Sequence, residues 1–234
     1  MYKVKIYADG ADVKDMLDAY NRGIASGFTT NPTLMKKAGV VDYNAFAQEV
    51  VQAIPDLSVS FEVFADDFDT MRQEALKIAS YGPNVYVKVP ITNTLGESSL
   101  PLVKELSDQG VNLNITAILT IEQVEETVAA LNENSKSIVS VFAGRVADTG
   151  VDPIPLMEAS AKVCHSKKNV ELLWASTREV LNIAQAEACG ADIVTVPNAI
   201  LDKLSMHGMD LLDLSLDTVK MFNNDIKALG FTIL

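Results

Sequence analysis

The chain has 234 residues, with 31 Asp and Glu against 19 Lys and Arg, for a formal net charge of −12. That sign argues against a nucleic-acid surface, which needs clustered cations, but leaves room for a pocket with two or three local cations that takes a phosphorylated ligand. Two cysteines with no CxxC, and two histidines, give neither a disulfide framework nor a zinc spacing, so no metal or organic cofactor is expected.

In chain order, short apolar runs alternate with longer amphipathic segments. The runs predicted as strands are Val4–Ala8, Gly27–Thr30, Val59–Ala65, Val85–Val89, Val111–Leu119, Ser137–Ala143, Val170–Ala175 and Ile193–Val196. They are rich in Val, Ile, Phe and Tyr, as buried parallel strands are; Val111–Leu119 mixes polar and apolar residues and is the least regular. Helical patterns fall at Ala11–Tyr20, Tyr43–Ala53, Phe68–Ser80, Ser98–Gln109, Ile121–Asn132, Ile154–Cys164 and Arg178–Ala188. Eight strands alternating with helices predict an α/β fold, a (β/α)8 TIM barrel. A doubly wound open sheet is the alternative, but no GxGxxG follows the first strand. A single domain over residues 1–234 is expected, since no linker or low-complexity tract interrupts the chain. Its last helix, about 211–229, either closes the barrel or reaches a neighbouring subunit. The N-terminus lacks the layout of a signal peptide, and no apolar run approaches the ~18 residues of a membrane span. No membrane association and a cytoplasmic location are the expectations.

Barrel enzymes carry their chemistry at the C-terminal ends of the strands. Those ends here hold Asp9, Thr30-Asn31, Glu62, Lys88, Asn114 with Thr116, Ser140 with Phe142 and Arg145, and Ser176 with Arg178. Lys88 lies inside the apolar run Val85-Tyr86-Val87-Lys88-Val89. A lysine there either snorkels to solvent or is held as a neutral amine, able to attack a ketone and form an iminium ion. Such chemistry also needs proton transfer, which Asp9 and Glu62 can supply. Each polar end also has a local structural reading. Asp9 can cap a helix, Asn31-Pro32 is a helix start, and Ser176-Thr177-Arg178-Glu179 matches a capping box. A helix start after the seventh strand is a common phosphate site, and Arg178 and Arg145 could both approach one phosphate.

These segments resemble the transaldolase family, in length its small-subunit branch, which includes the fructose-6-phosphate aldolases. The resemblance runs from Ile6 to Pro197. It is carried by Gly27-Phe28-Thr29-Thr30-Asn31-Pro32-Thr33-Leu34, Val87-Lys88-Val89-Pro90, Asn114-Ile115-Thr116, Phe142-Ala143-Gly144-Arg145 and Ala175-Ser176-Thr177-Arg178. It implies a class I aldolase-like barrel that moves a dihydroxyacetone unit from sedoheptulose 7-phosphate or fructose 6-phosphate to an aldose phosphate, as in the pentose phosphate pathway. Lys88 matches the Schiff-base lysine and Asp9 the residue that takes the C4 hydroxyl proton. Glu62 matches the carboxylate that works through a water, which Thr116 holds. Thr30, Asn31, Asn114, Ser140 and Phe142 match the ketol-binding positions, and Arg145, Ser176 and Arg178 the phosphate grip. Glu62, Asn114 and Phe142 follow the transaldolases, where the aldolase members carry glutamine, another residue and tyrosine. Val141, Ala143, Phe28 and the segment Val146–Gly150 depart from the common pattern and bear on acceptor preference. The branch also implies a homo-oligomer, possibly a decamer. Two rivals remain: an aldolase that releases dihydroxyacetone, and a sugar-phosphate-binding barrel with no turnover.

Overall fold

The computed structural model describes residues 2–231 and 233. Eight parallel strands pair in chain order and close on themselves, β1 with β8. They are β1 (Lys5–Asp9), β2 (Gly27–Thr29), β3 (Ser58–Glu62), β4 (Val85–Pro90), β5 (Leu113–Ile118), β6 (Ser137–Val141), β7 (Val170–Trp174) and β8 (Ile193–Pro197). Helices α1 (Val13–Asn21), α2 (Pro32–Ala38), α3 (Tyr43–Ala53), α4 (Phe68–Ala79), α5 (Leu100–Asp108) and α6 (Ile121–Ala130) lie between the first six strands. After β6 come α7 (Ala143–Asp148) and α8 (Ile154–Cys164), after β7 comes α9 (Leu181–Ala188), and after β8 the short α10 (Asn198–Leu201). The expected (β/α)8 barrel is the fold.

The sequence builds this locally. Side chains alternate along each strand. One set is apolar and fully buried, such as Val59, Phe61, Val87, Val89, Val139, Leu172, Trp174, Val194 and Val196. The rings of Phe46 on α3 and Phe61 on β3 meet edge-on at 6.1 Å, which seats that helix on the sheet. The other set lines the barrel interior. Its lower layers are plugged by Tyr7, Tyr86, Ile138, Leu173 and Ile193, and its upper layer is polar. Helix starts are fixed by side-chain caps: Asp12 on α1, Asn31 on α2, Asp42 on α3, Asp67 on α4, and a Thr120–Gln123 capping box on α6.

Two local departures from the sequence expectation matter for the site. The run Ser137–Ala143 leaves the sheet at Val141, and Ala143 opens α7. The predicted helix from Arg178 begins instead at Leu181, and the Ser176–Glu179 capping box is absent. The Asn182 side-chain oxygen accepts from the Arg178 and Glu179 amides and holds that stretch as a loop.

The chain divides into two compact units, Met1–Leu201 and Asp202–Leu234. The first is the barrel. The second holds a 3-10 turn (Asp202–Met206) and helix α11 (Leu211–Leu229), capped by Asp210. Among the described residues no helix is long and apolar enough to cross a membrane.

Candidate active site

A cavity of about 430 Å³ opens at the C-terminal ends of the strands. Its floor is set by strand register. Glu62 and Lys88 are direct partners across β3 and β4, and Lys88 and Asn114 across β4 and β5. Parallel pairing therefore turns all three side chains to the same face. Lys88 is 6% exposed. Its Nζ lies 3.1 Å from Glu62 Oε2 and donates to the Thr30 carbonyl at 2.8 Å. The lysine does not snorkel; its amine ends inside the cavity. Glu62 is steadied from behind, where the Tyr43 hydroxyl of α3 donates to its backbone carbonyl at 3.0 Å.

Asp9 faces this pair from β1. It does not cap α1; Asp12 does. Asp9 Oδ1 accepts from the Thr29 hydroxyl at 2.8 Å. Burial pushes its carboxyl above the usual carboxylate range, with nearby Glu62 adding to the shift; the Lys88 charge and the Thr29 hydrogen bond pull the other way without cancelling it.

The wall between β3 and β6 is a buried hydrogen-bond chain. Ser140 Oγ donates to Asn114 Oδ1 at 2.6 Å, and Asn114 Nδ2 donates to Ser60 Oγ at 3.1 Å. Thr116 lies on the same face of β5. Just beyond it the β5–β6 register shifts, and Ala117 takes φ 62°. This bulge interrupts regular pairing beside the cavity, and the strands pair again at Ile118 and Val141. Asn31 lines the cavity while its Oδ1 caps α2 at Leu34 N, 3.0 Å away, so the local and the cavity-facing readings of Asn31 hold together.

At the rim stand Phe142, Arg145, Ser176 and Arg178. Gly144 brings their two loops together. A Cβ on Gly144 would sit 1.7 Å from the Ser176 carbonyl oxygen, so only glycine permits this approach. Ser176 has φ 66°; it and Ala117 are the non-glycine residues with positive φ among the described residues, and both line the cavity. Arg178, in the loop rather than in a helical turn, engages Asp148 at the end of α7 through Nε (3.2 Å) and through a second, shorter contact. The guanidinium holds the Asp148 carboxyl below the usual carboxylate range.

Eleven of the twelve candidate residues line this one cavity; Thr30 does not. Its hydroxyl donates to the Ser60 carbonyl at 2.9 Å, away from the opening, and only its carbonyl reaches Lys88. Thr29 and Thr195 also line the cavity, and Asp148, Gly144 and Tyr43 shape it, beyond the residues the sequence points to. Strand parity marks Thr29, because it shares the face of Gly27 while Thr30 takes the opposite one. Thr195 carries the same signal as Lys88, a polar residue inside an apolar strand.

A profile of the family described as Transaldolase/Fructose-6-phosphate aldolase matches residues 6–233. The chain belongs to that family. A "Probable transaldolase" of Exiguobacterium sp. is 34% identical over 206 residues, covering 87% of this chain and 91% of that protein. A "Probable transaldolase" of Nitrosopumilus maritimus is 32% identical over 231 residues, covering 96% and 100%. Among solved structures, a thiamine phosphate pyrophosphorylase from Pyrococcus furiosus superposes with a TM-score of 0.56 at 14% identity, over 85% of this chain and 87% of that one. At that identity the likeness concerns the barrel alone.

Proposed function

We propose that this chain is a transaldolase that carries a dihydroxyacetone unit on Lys88 between sugar phosphates. The observation that carries the reading is the amine of a buried lysine 3.1 Å from the Glu62 carboxylate, on the floor of a cavity with two arginines at its rim. A lysine so placed is a nucleophile for a carbonyl, and the carboxylates beside it supply the proton transfers.

The steps follow from position. The Lys88 amine adds to the C2 carbonyl of the ketose phosphate. Glu62, through a water held by Thr116, delivers the proton with which the carbinolamine loses water to give the iminium. Asp9 takes the C4 hydroxyl proton; the C3–C4 bond breaks and its electron pair moves into the iminium. The aldose phosphate leaves, and an enamine stays on Lys88. C3 of the enamine then attacks a new aldehyde, Asp9 returns its proton, and water releases the product ketose. Asn31, Asn114 and Ser140 bind ketol hydroxyls, and Arg145, Ser176 and Arg178 bind the phosphate, a bidentate task suited to guanidinium. Phe142 has no proton to give the enamine, which favours waiting for an acceptor over releasing dihydroxyacetone.

Borohydride reduction in the presence of fructose 6-phosphate tests this. The expected product is a three-carbon adduct on Lys88, with sustained release of aldose phosphate only when erythrose 4-phosphate or another acceptor is present. An active, folded protein that yields no adduct would overturn the covalent mechanism. Sustained release without an acceptor would make it an aldolase.

We also propose that the protein works as a homo-oligomer. No residue of α11 is buried within the chain, and Leu212, Leu216, Val219, Phe222, Ile226 and Leu229 recur at three- and four-residue spacing along it. Such a stripe suits packing against a second copy.

A further inference from the structure

We infer that Thr195 is a positioning residue for Asp9, acting through the hydroxyl of Thr29. This deepens the proposed mechanism and rests on its assignment of Asp9 as the group that takes the C4 proton.

Thr195 is the inward-facing residue of β8 at the level of the cavity, 6% exposed. Its neighbours along the strand are Ile193, Val194 and Val196, each fully buried. A hydroxyl in that setting is costly unless it is hydrogen-bonded. Its Oγ lies within hydrogen-bond reach of Thr29 Oγ. Direction follows from counting protons. A threonine hydroxyl has one proton, and Thr29 spends its own on Asp9 Oδ1 at 2.8 Å. Thr195 must therefore be the donor in the second bond. The result is a one-way relay: Thr195 O–H to Thr29 Oγ, and Thr29 O–H to the Asp9 carboxylate. Donation into Thr29 polarises its O–H and strengthens the bond it makes. A bond donated to the ionised carboxylate favours that form.

The backbone anchors the start of the relay. The Thr177 hydroxyl donates to the Thr195 carbonyl at 2.7 Å, fixing β8 at this residue to the loop after β7. The charged groups that face Asp9 across the cavity are Lys88 on β4 and Glu62 on β3, with Arg145 on α7 and Arg178 on the loop after β7 at the rim. On β2 the register partner of Asp9 is Thr29; on β8 it is Pro197, with Thr195 one step back opposite Tyr7, so the polar side chains that these two strands bring to the cavity beside Asp9 are the hydroxyls of Thr29 and Thr195. The relay thus adds to the Lys88 charge in opposing the effect of burial on Asp9.

The test is a carbon-13 NMR titration of the aspartate carboxyls in the substrate-free protein, with the Asp9 resonance assigned by its loss in Asp9→Asn. Thr195→Val keeps the side-chain shape and removes the donor. The expected result is an Asp9 titration midpoint raised by about half to one pH unit, a three- to ten-fold rise in proton affinity, as loss of one hydrogen bond's support implies. Thr195→Ser restores the wild-type midpoint. An unmoved midpoint in Thr195→Val overturns the inference, and Thr195→Ala is read the same way if the valine variant does not fold. The acid limb of kcat/KM against pH, measured on the same proteins, tests the mechanism separately. A midpoint that moves while the kinetic limb stays supports the relay and refutes Asp9 as the proton acceptor. A limb lost in Asp9→Asn but a midpoint unmoved in Thr195→Val keeps the acceptor and refutes the relay.

Discussion

At Asp9 the cost of burial is visible in a single carboxyl. Its proton affinity in the folded chain exceeds its ordinary value, with burial as the largest cause. The folded state therefore binds the proton more tightly than the unfolded chain does. The stability tied to Asp9 is fully present below the ordinary carboxylate value and is lost as pH rises through the raised one. Asp9→Asn, neutral at every pH, is expected to melt above the wild type at pH 8. That difference should narrow as pH falls toward 4, as calorimetry across this range would show; equal melting at pH 8 would mean that Asp9 ionises there without strain. The same residue was hard to read in the sequence because Asp9 and Asp12 sit one helical turn apart, and either could cap α1 by pattern. The structure gives the cap to Asp12, and so frees Asp9 to face the cavity.

Among the elements, the two loops after β6 and β7 form one unit through Gly144. Its missing side chain makes room for the Ser176 carbonyl, and a backbone atom cannot swing away. Gly144→Ala is expected to destabilise the barrel by about 1–3 kcal/mol, the usual cost of overpacking. It should also raise KM for phosphorylated substrates about tenfold or more, because Arg145 and Ser176 part. Borohydride trapping on Lys88 with unphosphorylated dihydroxyacetone should survive; loss of both would mean that the change spreads to the floor. Legibility differs between elements for physical reasons. Most strands stand out because parallel strands buried on both faces read as apolar runs, although β2, Gly27-Phe28-Thr29, is too short to show one. In β5 the inward Asn114 and Thr116 and the bulge at Ala117 break that run. Helix α7 is hidden because Val141-Phe142-Ala143 continues an apolar stretch through the point where the chain leaves the sheet. The start of α9 is misplaced because a side chain four residues beyond Arg178, Asn182, takes the amides that a capping box would have used. The floor of the site is readable because charged residues and amides in strands are rare; Thr29 and Thr195 give a weaker signal, strand parity and a polar residue in an apolar run, because a threonine is at home in a strand.

For the whole molecule, α11 carries an apolar stripe of exposed residues. Under the proposed assembly the wild type is expected to sediment as a multiple of the single chain, and Phe222→Asp with Ile226→Asp to reduce the sedimenting species toward one chain. A wild type that already sediments as one chain at micromolar concentration would refute assembly through this helix. The barrel itself makes no such demand, since closing β1 on β8 leaves no free sheet edge.

The ion pair between Arg178 and Asp148 has a consequence for traffic through the cavity. A guanidinium that already has a carboxylate on its Nε edge gains less from an incoming phosphate than a bare one would, because part of its charge is already answered. It also loses less when the phosphate departs, since the carboxylate remains beside it. For the proposed transfer, in which one aldose phosphate leaves before the next enters, a moderate grip speeds the departure that frees the cavity for the acceptor.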